Sequence, residues 1–360
     1  MYCVVIGIHP PRGELAKVVR DVKTVENESV DWHETSTATD DGKLTFLASA
    51  WTLASSDALY EAVQYRVKEL HVECEIWATS PAPLPLRPTK GYDLHFESVD
   101  MEMAYQRMKE WGILIQSSII SQEGVDYIRS VVDEAISNVE MSLRENRPQL
   151  KIGQDEMLFQ EIASRNLERF DLRLQDNSDA ICFVQDFVLA NASVAAFLER
   201  TLGSATEIDF DVSVVYSKPG ACPQSWHADG AHQRGAKDAG WTTDGWRTDL
   251  ADPYALCLFI PLIPLNDSVG YTQFWPGSHR HRDLAGFGKV AELVEATVDG
   301  ICQAGDGVWY DYRLLHRGMP NKSSITRHII QIVFKKKWYV EQVNYGSEPI
   351  AKGHAIQCNK

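Results

Sequence analysis

No two cysteines in this sequence have the spacing of a zinc knuckle or a redox pair. The seven that exist, Cys3, Cys74, Cys182, Cys222, Cys257, Cys302 and Cys358, are scattered and odd in number, which argues against a disulfide framework and for free thiols in a reducing compartment. No run of about twenty apolar residues occurs, so no membrane-spanning helix is expected. The opening "MYCVVIGIHPPRG" has too short an apolar run, and no basic leader, for a signal peptide. The closing "AIQCNK" matches no retention or peroxisomal tail. A cytoplasmic protein is the expectation. Positive charge is scarce: 35 Lys and Arg stand against 50 Asp and Glu, a net charge of −15. Such a chain gains nothing from counterion release on a phosphate backbone and is repelled by anionic lipid, so neither nucleic acid nor membrane is an expected partner. Internal repeats and low-complexity tracts are also missing. What remains, 44% apolar and 24% charged residues over 360 positions, suits one large globular domain or two unequal ones.

The sharpest break is "TSPAPLPLRPTK" at 79–90, where Pro81, Pro83, Pro85 and Pro88 fix φ and bias their neighbours toward extended backbone. It reads as a semi-rigid linker, with a proline-rich loop inside one domain as the alternative. Residues 1–78 before it alternate strand and helix patterns: "YCVVIGI", "GELAKVVRDV", "ESVDWHETS", "KLTFLASAW", "SDALYEAVQYRVKEL" and "HVECEIWAT". The helix near Ser55 or Ser56 places Leu59, Ala62, Val63, Arg66, Val67 and Leu70 on one face. The order β-α-β-β-α-β predicts a small ferredoxin-like α/β unit. Its histidines, His9, His33 and His71, are isolated, so it is read as an accessory module and a candidate homodimerisation surface.

Residues 91–345 read as one larger domain, followed by a tail at 346–360. A helix, a short strand at Ile113–Ile115 and a long helix from about Ser121 come first, the last with Val125, Ile128, Val132, Ala135 and Ile136 at helical spacing. From about 205 onward strands dominate. "IDFDVSVVYS" alternates, and "YALCLFIPLIPL" is apolar on both faces, as a strand between two layers must be. Helices followed by strands predict an α+β class with a mainly β core.

Within that core, "QSWHADG" at 224–230 sets His227 and Asp229 two apart. In a strand, such a pair shares a face. His-x-Asp arises often by chance, but the downstream stretch sharpens it. "GVWYDYRLLH" is expected to be a strand placing Val308, Tyr310, Tyr312, Leu314 and His316 on one face. "RGMPNKSS" is turn chemistry. A returning strand with Arg327, Ile329, Gln331 and Val333 is then expected to bring Arg327 beside His316 as a hairpin. Two histidines and a carboxylate on one face of an octahedron hold non-haem Fe(II) in oxygenases, and zinc tolerates the same ligands. A guanidinium fork nearby suits a bidentate carboxylate.

Together, "PQSWHADG", "GYTQFWPGSHRH", the helix followed by "WGILI", and "HRGMPNKSSITR" with its arginine eleven residues after His316 resemble the phytanoyl-CoA dioxygenase-like Fe(II)/2-oxoglutarate-dependent oxygenases over about residues 101–339. The resemblance implies a double-stranded β-helix (jelly roll) core flanked by helices. It implies Fe(II) held by His227, Asp229 and His316, 2-oxoglutarate and O2 as cosubstrates, and Arg327 on the C5 carboxylate of 2-oxoglutarate. Gln224 matches a position that approaches the cosubstrate in some relatives. Such enzymes release succinate and carbon dioxide while oxidising a C–H bond of a small-molecule substrate, by hydroxylation, desaturation or oxidative cyclisation. There are departures. Gly318 stands where some relatives carry a serine that assists the arginine. Thr272 and Gln273 are polar in a strand that is usually more apolar; they face the cosubstrate or substrate, or lie on an edge. Asp229 is a carboxylate where halogenating relatives keep a small residue, which favours oxidation over chlorination.

Two stretches are candidates for substrate contact. One is the polar insertion at 231–253, with His232, Trp241, Trp246 and Arg247. The other carries Arg165, Arg169 and Arg173, read either as anion recognition or as surface ion pairs. His279 in "WPGSH" is read as ordering its loop rather than as a ligand. The rival functions are a protein hydroxylase on the same iron core and a non-catalytic metal-binding protein acting through the N-terminal module.

Overall fold

The computed structural model of the chain describes residues 2–9, 31–36, 44–50, 56–69, 73–79, 84, 86, 94–96, 100–232, 251–282, 284–341 and 344–351. The chain divides into two compact units. Met1–Lys90, His232–Ala251 and Trp275–Thr297 form one; Gly91–Ala231, Asp252–Phe274 and Val298–Lys360 form the other.

In the first unit the short β-branched runs become β1 (Tyr2–His9), β2 (Asp31–Ser36), β3 (Leu44–Ala50) and β4 (Glu73–Thr79). They lie in the order β2-β3-β1-β4, each antiparallel to its neighbour. Helix α1 (Ser56–Glu69) joins β3 to β4 and packs on β1. It buries Val63 and Val67, one turn apart on a single face. The other side chains expected on that face, and the helix expected over "GELAKVVRDV", fall outside the described residues. So do the four prolines of the segment at 79–90; of its residues past Thr79 only Leu84 and Leu86 are described.

The second unit opens with β5 (His95–Phe96), α2 (Met101–Trp111) and β6 (Ile113–Gln116). Asp100 caps α2, accepting from Met103 N at 2.9 Å. Ser121 caps α3 (Gln122–Asn146), accepting from Gly124 N. The apolar spacing of α3 buries Val125, Ile128, Val132, Val139 and Leu143, with Ala135 and Ile136 packed at the margin. After β7 (Ile162–Asn166) and β8 (Arg169–Arg173) come α4 (Ser178–Phe183) and α5 (Ala192–Leu202). The later strands are β9 (Ile208–Ser217), β10 (Ala255–Pro261), β11 (Thr272–Phe274), β12 (Val298–Asp299), β13 (Gly307–Asp311), β14 (His316–Gly318) and β15 (Arg327–Lys336).

These strands form an eight-stranded sheet, β5-β6-β13-β10-β15-β9-β8-β7, antiparallel except for the β5–β6 pair, and a three-stranded antiparallel sheet, β12-β11-β14. The pleat of β10 explains its apolar run. Leu256, Leu258 and Ile260 join the helices' core with Ile330, Ile332 and Phe334 of β15. Ala255, Cys257 and Phe259 point the other way, into a second core shared with Phe274, Tyr310, Ile329 and Val333. The large sheet is thus covered on one face by helices and on the other by the small sheet. Among the described residues no single helix is long and apolar enough to cross a membrane, and Cys74, Cys182, Cys222, Cys257 and Cys302 are free thiols.

The expected His316–Arg327 hairpin does not form. The run "GVWYDYRLLH" breaks after Asp311, where the buried Arg313 side chain turns back onto the Asp311 carboxylate, Nε to Oδ1 at 2.9 Å and Nη2 to Oδ2 at 2.7 Å. Leu314 N donates to Asp311 O and closes the turn. β14 then pairs with β11 of the small sheet, Phe274 opposite His316, while β15 enters the large sheet between β9 and β10. His316 and Arg327 therefore belong to different sheets.

Candidate functional site

The loop after β9 delivers His227 to β14. No strand runs through His227 and Asp229; a single reciprocal bridge does the positioning instead. His227 N donates to His316 O at 3.0 Å, and His316 N to His227 O at 2.8 Å. Gly230 N, donating to Tyr312 O at 2.7 Å, pins the chain just past Asp229. One donor atom from each of His227, Asp229 and His316 lies within 4.8 Å of the other two. Asp229 Oδ1 is 3.6 Å from His316 Nε2 and 4.0 Å from His227 Nε2.

Both imidazoles point Nε2 at this spot because Nδ1 is engaged elsewhere, by Ser225 O at 2.8 Å in His227 and by Leu314 O at 3.0 Å in His316. A carbonyl only accepts, so Nδ1 carries a proton in both rings and Nε2 is the ring atom left facing the cluster. Asp229 Oδ2 accepts from the Tyr310 hydroxyl at 2.8 Å, which leaves Oδ1 facing the imidazoles. Burial pushes His316 down to about 4, against the opposing pull of the Asp229 charge. Its imidazole is therefore neutral near pH 7, and the 3.6 Å approach is two lone pairs aimed at one point rather than an ion pair. Burial first, then the Asp229 charge, raises Tyr310 well above its usual range and keeps it a proton donor. Two imidazoles with converging Nε2 atoms and one carboxylate with two oriented oxygens fit a divalent cation that retains open positions.

A cavity of about 440 Å³ leads from this cluster to Arg327. Thr272 and Gln224 line it as well. The Gln224 amide is already engaged: Oε1 accepts from Gly318 N at 3.0 Å and Nε2 donates to Arg165 O at 3.3 Å. Arg327, 1% exposed, donates through Nη2 to Ser217 Oγ at 3.0 Å and through Nη1 to Tyr271 O and Met319 O. Ser217, from the neighbouring strand, thus supplies a hydroxyl contact to this arginine in a protein that has Gly318 on β14. Gly270 makes room. Its φ is +81°, and a Cβ there would stand 2.7 Å from Arg327 Nη1.

Of the three arginines read as anion-binding or surface groups, Arg165 pairs with Asp171 at 2.9 Å and Arg173 is exposed, its guanidinium 5.9 Å from the Tyr345 ring. Arg169 behaves differently. It is 1% exposed, lines the cavity, and donates to Met319 O at 2.8 Å and Cys222 O at 3.1 Å. Trp241, Trp246 and Arg247 fall outside the described residues. His232 is half-buried and belongs to the first unit, as does His279, buried in a short 3-10 turn. Tyr310 and Ser217 were not singled out from sequence as site residues. The signal for Tyr310 was its place in the alternating "GVWYDY"; Ser217 offered none beyond ending a strand.

The sequence profile of the phytanoyl-CoA dioxygenase (PhyH) family matches residues 120–329, more than half of the chain. The chain belongs to that family. PhyH proteins are oxidoreductases that use Fe(II), 2-oxoglutarate and O2. The chain is also similar to several solved structures. One is the non-haem alpha-ketoglutarate-dependent epimerase SnoN from nogalamycin biosynthesis, at 16% identity over 66% of this chain and 80% of that one, with a TM-score of 0.45. Another is AviO1 from Streptomyces viridochromogenes Tue57, at 20% identity over 66% and 96%, TM-score 0.44. A third is EctD from S. alaskensis with bound Fe, at 16% identity over 75% and 85%, TM-score 0.44.

Proposed function

We propose that this PhyH-family protein is a non-haem Fe(II)/2-oxoglutarate-dependent oxygenase that oxidises a C–H bond of a small molecule, releasing succinate and carbon dioxide. The observation that carries the reading is the convergence of His227 Nε2, His316 Nε2 and Asp229 Oδ1, each oriented by a hydrogen bond that the side chain's other polar atom makes, donated by Nδ1 in the histidines and accepted by Oδ2 in the aspartate. A bound ferrous ion supplies the redox chemistry that couples decarboxylation of the 2-oxo acid to substrate oxidation. The protein's own residues do the rest. Ser225 O and Leu314 O hold the imidazole tautomers, and Tyr310 holds the carboxylate. Arg327 and Thr272 receive the far end of 2-oxoglutarate. Phe259 and the Phe274 ring, 5.9 Å from that of His316, keep water from the deep side.

The finer architecture belongs to the same proposal. A large and a small antiparallel sheet facing each other support a jelly roll for residues 91–345. The order β2-β3-β1-β4 supports a ferredoxin-like module over 1–78, which serves as an accessory or dimerising unit. A second cavity, also about 440 Å³, shares Asp171, Gln331 and Asn344 with the first. Its walls add Arg173, Asp211, Lys335 and Glu341. This polar lining supports a substrate bearing hydrogen-bonding groups next to the oxidised carbon. The carboxylate at Asp229 supports hydroxylation, desaturation or cyclisation over halogenation.

Anaerobic titration with Fe(II) and 2-oxoglutarate tests the reading. A weak visible charge-transfer band is expected, and its loss in Asp229→Ala. No band in the wild type, and no succinate with any substrate, would leave a binding protein in place of an enzyme.

A further inference from the structure

The antiparallel register places Arg169 of β8 opposite Ser217 of β9, and Ser217 opposite Arg327 of β15. Directly opposed residues share a sheet face, so two guanidinium groups flank one hydroxyl at a single level of the sheet. Both arginines are 1% exposed, and both line the cavity that holds His227, Asp229 and His316. Among the described residues neither has a carboxylate partner: the acid nearest in register, Asp171, is taken by Arg165 and the Tyr345 hydroxyl. Their acceptors are backbone carbonyls and Ser217 Oγ, and the Met319 carbonyl serves both. The Nε of each is buried without an acceptor. Burial lowers Arg169 to about 10, so it stays charged near pH 7, and burial together with Arg169 lowers Arg327. Two buried like charges without an anion are costly, and a carboxylate between them relieves both desolvation and repulsion.

Resting on the iron and 2-oxoglutarate reading above, we propose that Arg169 is a second anchor for the distal carboxylate of the 2-oxo acid, forming with Arg327 a two-arginine clamp that selects dicarboxylate cosubstrates. Gly318 is part of the clamp. A Cβ at that position would collide with Arg169 Nη1 and stand 2.6 Å from Gln224 Oε1, so the guanidinium occupies the volume that a side chain on β14 would take.

The test compares 2-oxoglutarate with 2-oxopentanoate, which has the same chain length and no distal carboxylate. Binding of each is followed anaerobically by the Fe(II) charge-transfer band in wild type, Arg169→Met, Arg169→Lys and Gly318→Ala. A metal-free readout accompanies it: the rise in melting temperature caused by glutarate in EDTA, with butyrate as control. Losing a charged hydrogen-bond partner is expected to weaken 2-oxoglutarate binding about tenfold to a hundredfold in Arg169→Met. Affinity for 2-oxopentanoate should hold, Arg169→Lys should recover part of the loss, and the glutarate shift should vanish. Equal weakening of both 2-oxo acids would reduce Arg169 to a residue that shapes the loop through Cys222 and Met319, and unchanged affinity for both would remove it from the site; either result overturns the clamp. If Arg169→Met does not fold, Gly318→Ala, which displaces the guanidinium sterically, decides by the same ratio. A wild type that binds no 2-oxoglutarate in the presence of Fe(II) overturns the parent reading and the clamp together. A wild type that binds it, with variants that keep its selectivity, overturns the clamp alone.

Discussion

Replacing Tyr310 by Phe removes one oxygen and isolates the contribution of ligand orientation. The hydroxyl belongs to a fully buried ring and donates to Asp229 Oδ2 at 2.8 Å. Without it, the carboxylate is free to turn, and Oδ1 is no longer fixed on the point that His227 and His316 address. Loss of such an outer partner weakens metal binding by about tenfold to a hundredfold, equivalent to about 1.4 to 2.8 kcal/mol. An effect of similar size on the metal-free fold accompanies it, about 1 to 3 kcal/mol, because the half-buried Asp229 carboxylate loses its partner. The two are measured separately: calorimetric titration of metal-free protein with Co(II) or Mn(II), and urea unfolding in EDTA. A Tyr310→Phe protein that binds these ions as tightly as the wild type, while Asp229→Ala binds none, would refute the orienting role.

Gly270→Ala combines a left-handed backbone conformation with a Cβ pressed against Arg327, so it is expected to raise the dissociation constant for 2-oxoglutarate while leaving Co(II) affinity intact. Ile332→Ala, in the centre of β15 and fully buried, is expected to lower unfolding free energy by about 2 to 5 kcal/mol without altering cosubstrate selectivity, as read by denaturant titration. Burial raises the Cys302 thiol from 9.0 to about 12. Because the folded value is the higher one, the associated stability is intact below pH 9 and is lost as pH climbs from 9 toward 12. Melting temperatures over that range should fall less steeply in Cys302→Ala; identical slopes would exclude the thiol as the cause.

The four residues at the heart of the site were legible because their chemistry is rare in combination: a His-x-Asp pair, a later histidine, and an arginine in an otherwise apolar strand. The capped helices were legible too, since Ser121 and the spacing of Val125, Ile128 and Val132 are local features. What sequence pattern missed was the change of sheet. Alternation runs unbroken from Val308 to Leu314, yet the Asp311–Arg313 pair folds the chain out of one sheet and into the other. A period of two records which face a residue takes but not which strand it joins. Arg169 was ambiguous for a related reason. Beside Arg165 and Arg173 it looked like one of a set, and only the cross-strand register separates the buried member from its paired and exposed neighbours.

The paired backbone bonds between His227 and His316 have a consequence for metal choice. They tie the two imidazoles together before any ion arrives, so the pocket is stiff and its shape is inherited from the fold. A stiff nitrogen-rich cradle grips late transition ions more firmly than iron, following the ordinary ranking of divalent affinities. Correct loading then depends on which ions the surroundings make available, and traces of copper, nickel or zinc become natural poisons of this protein.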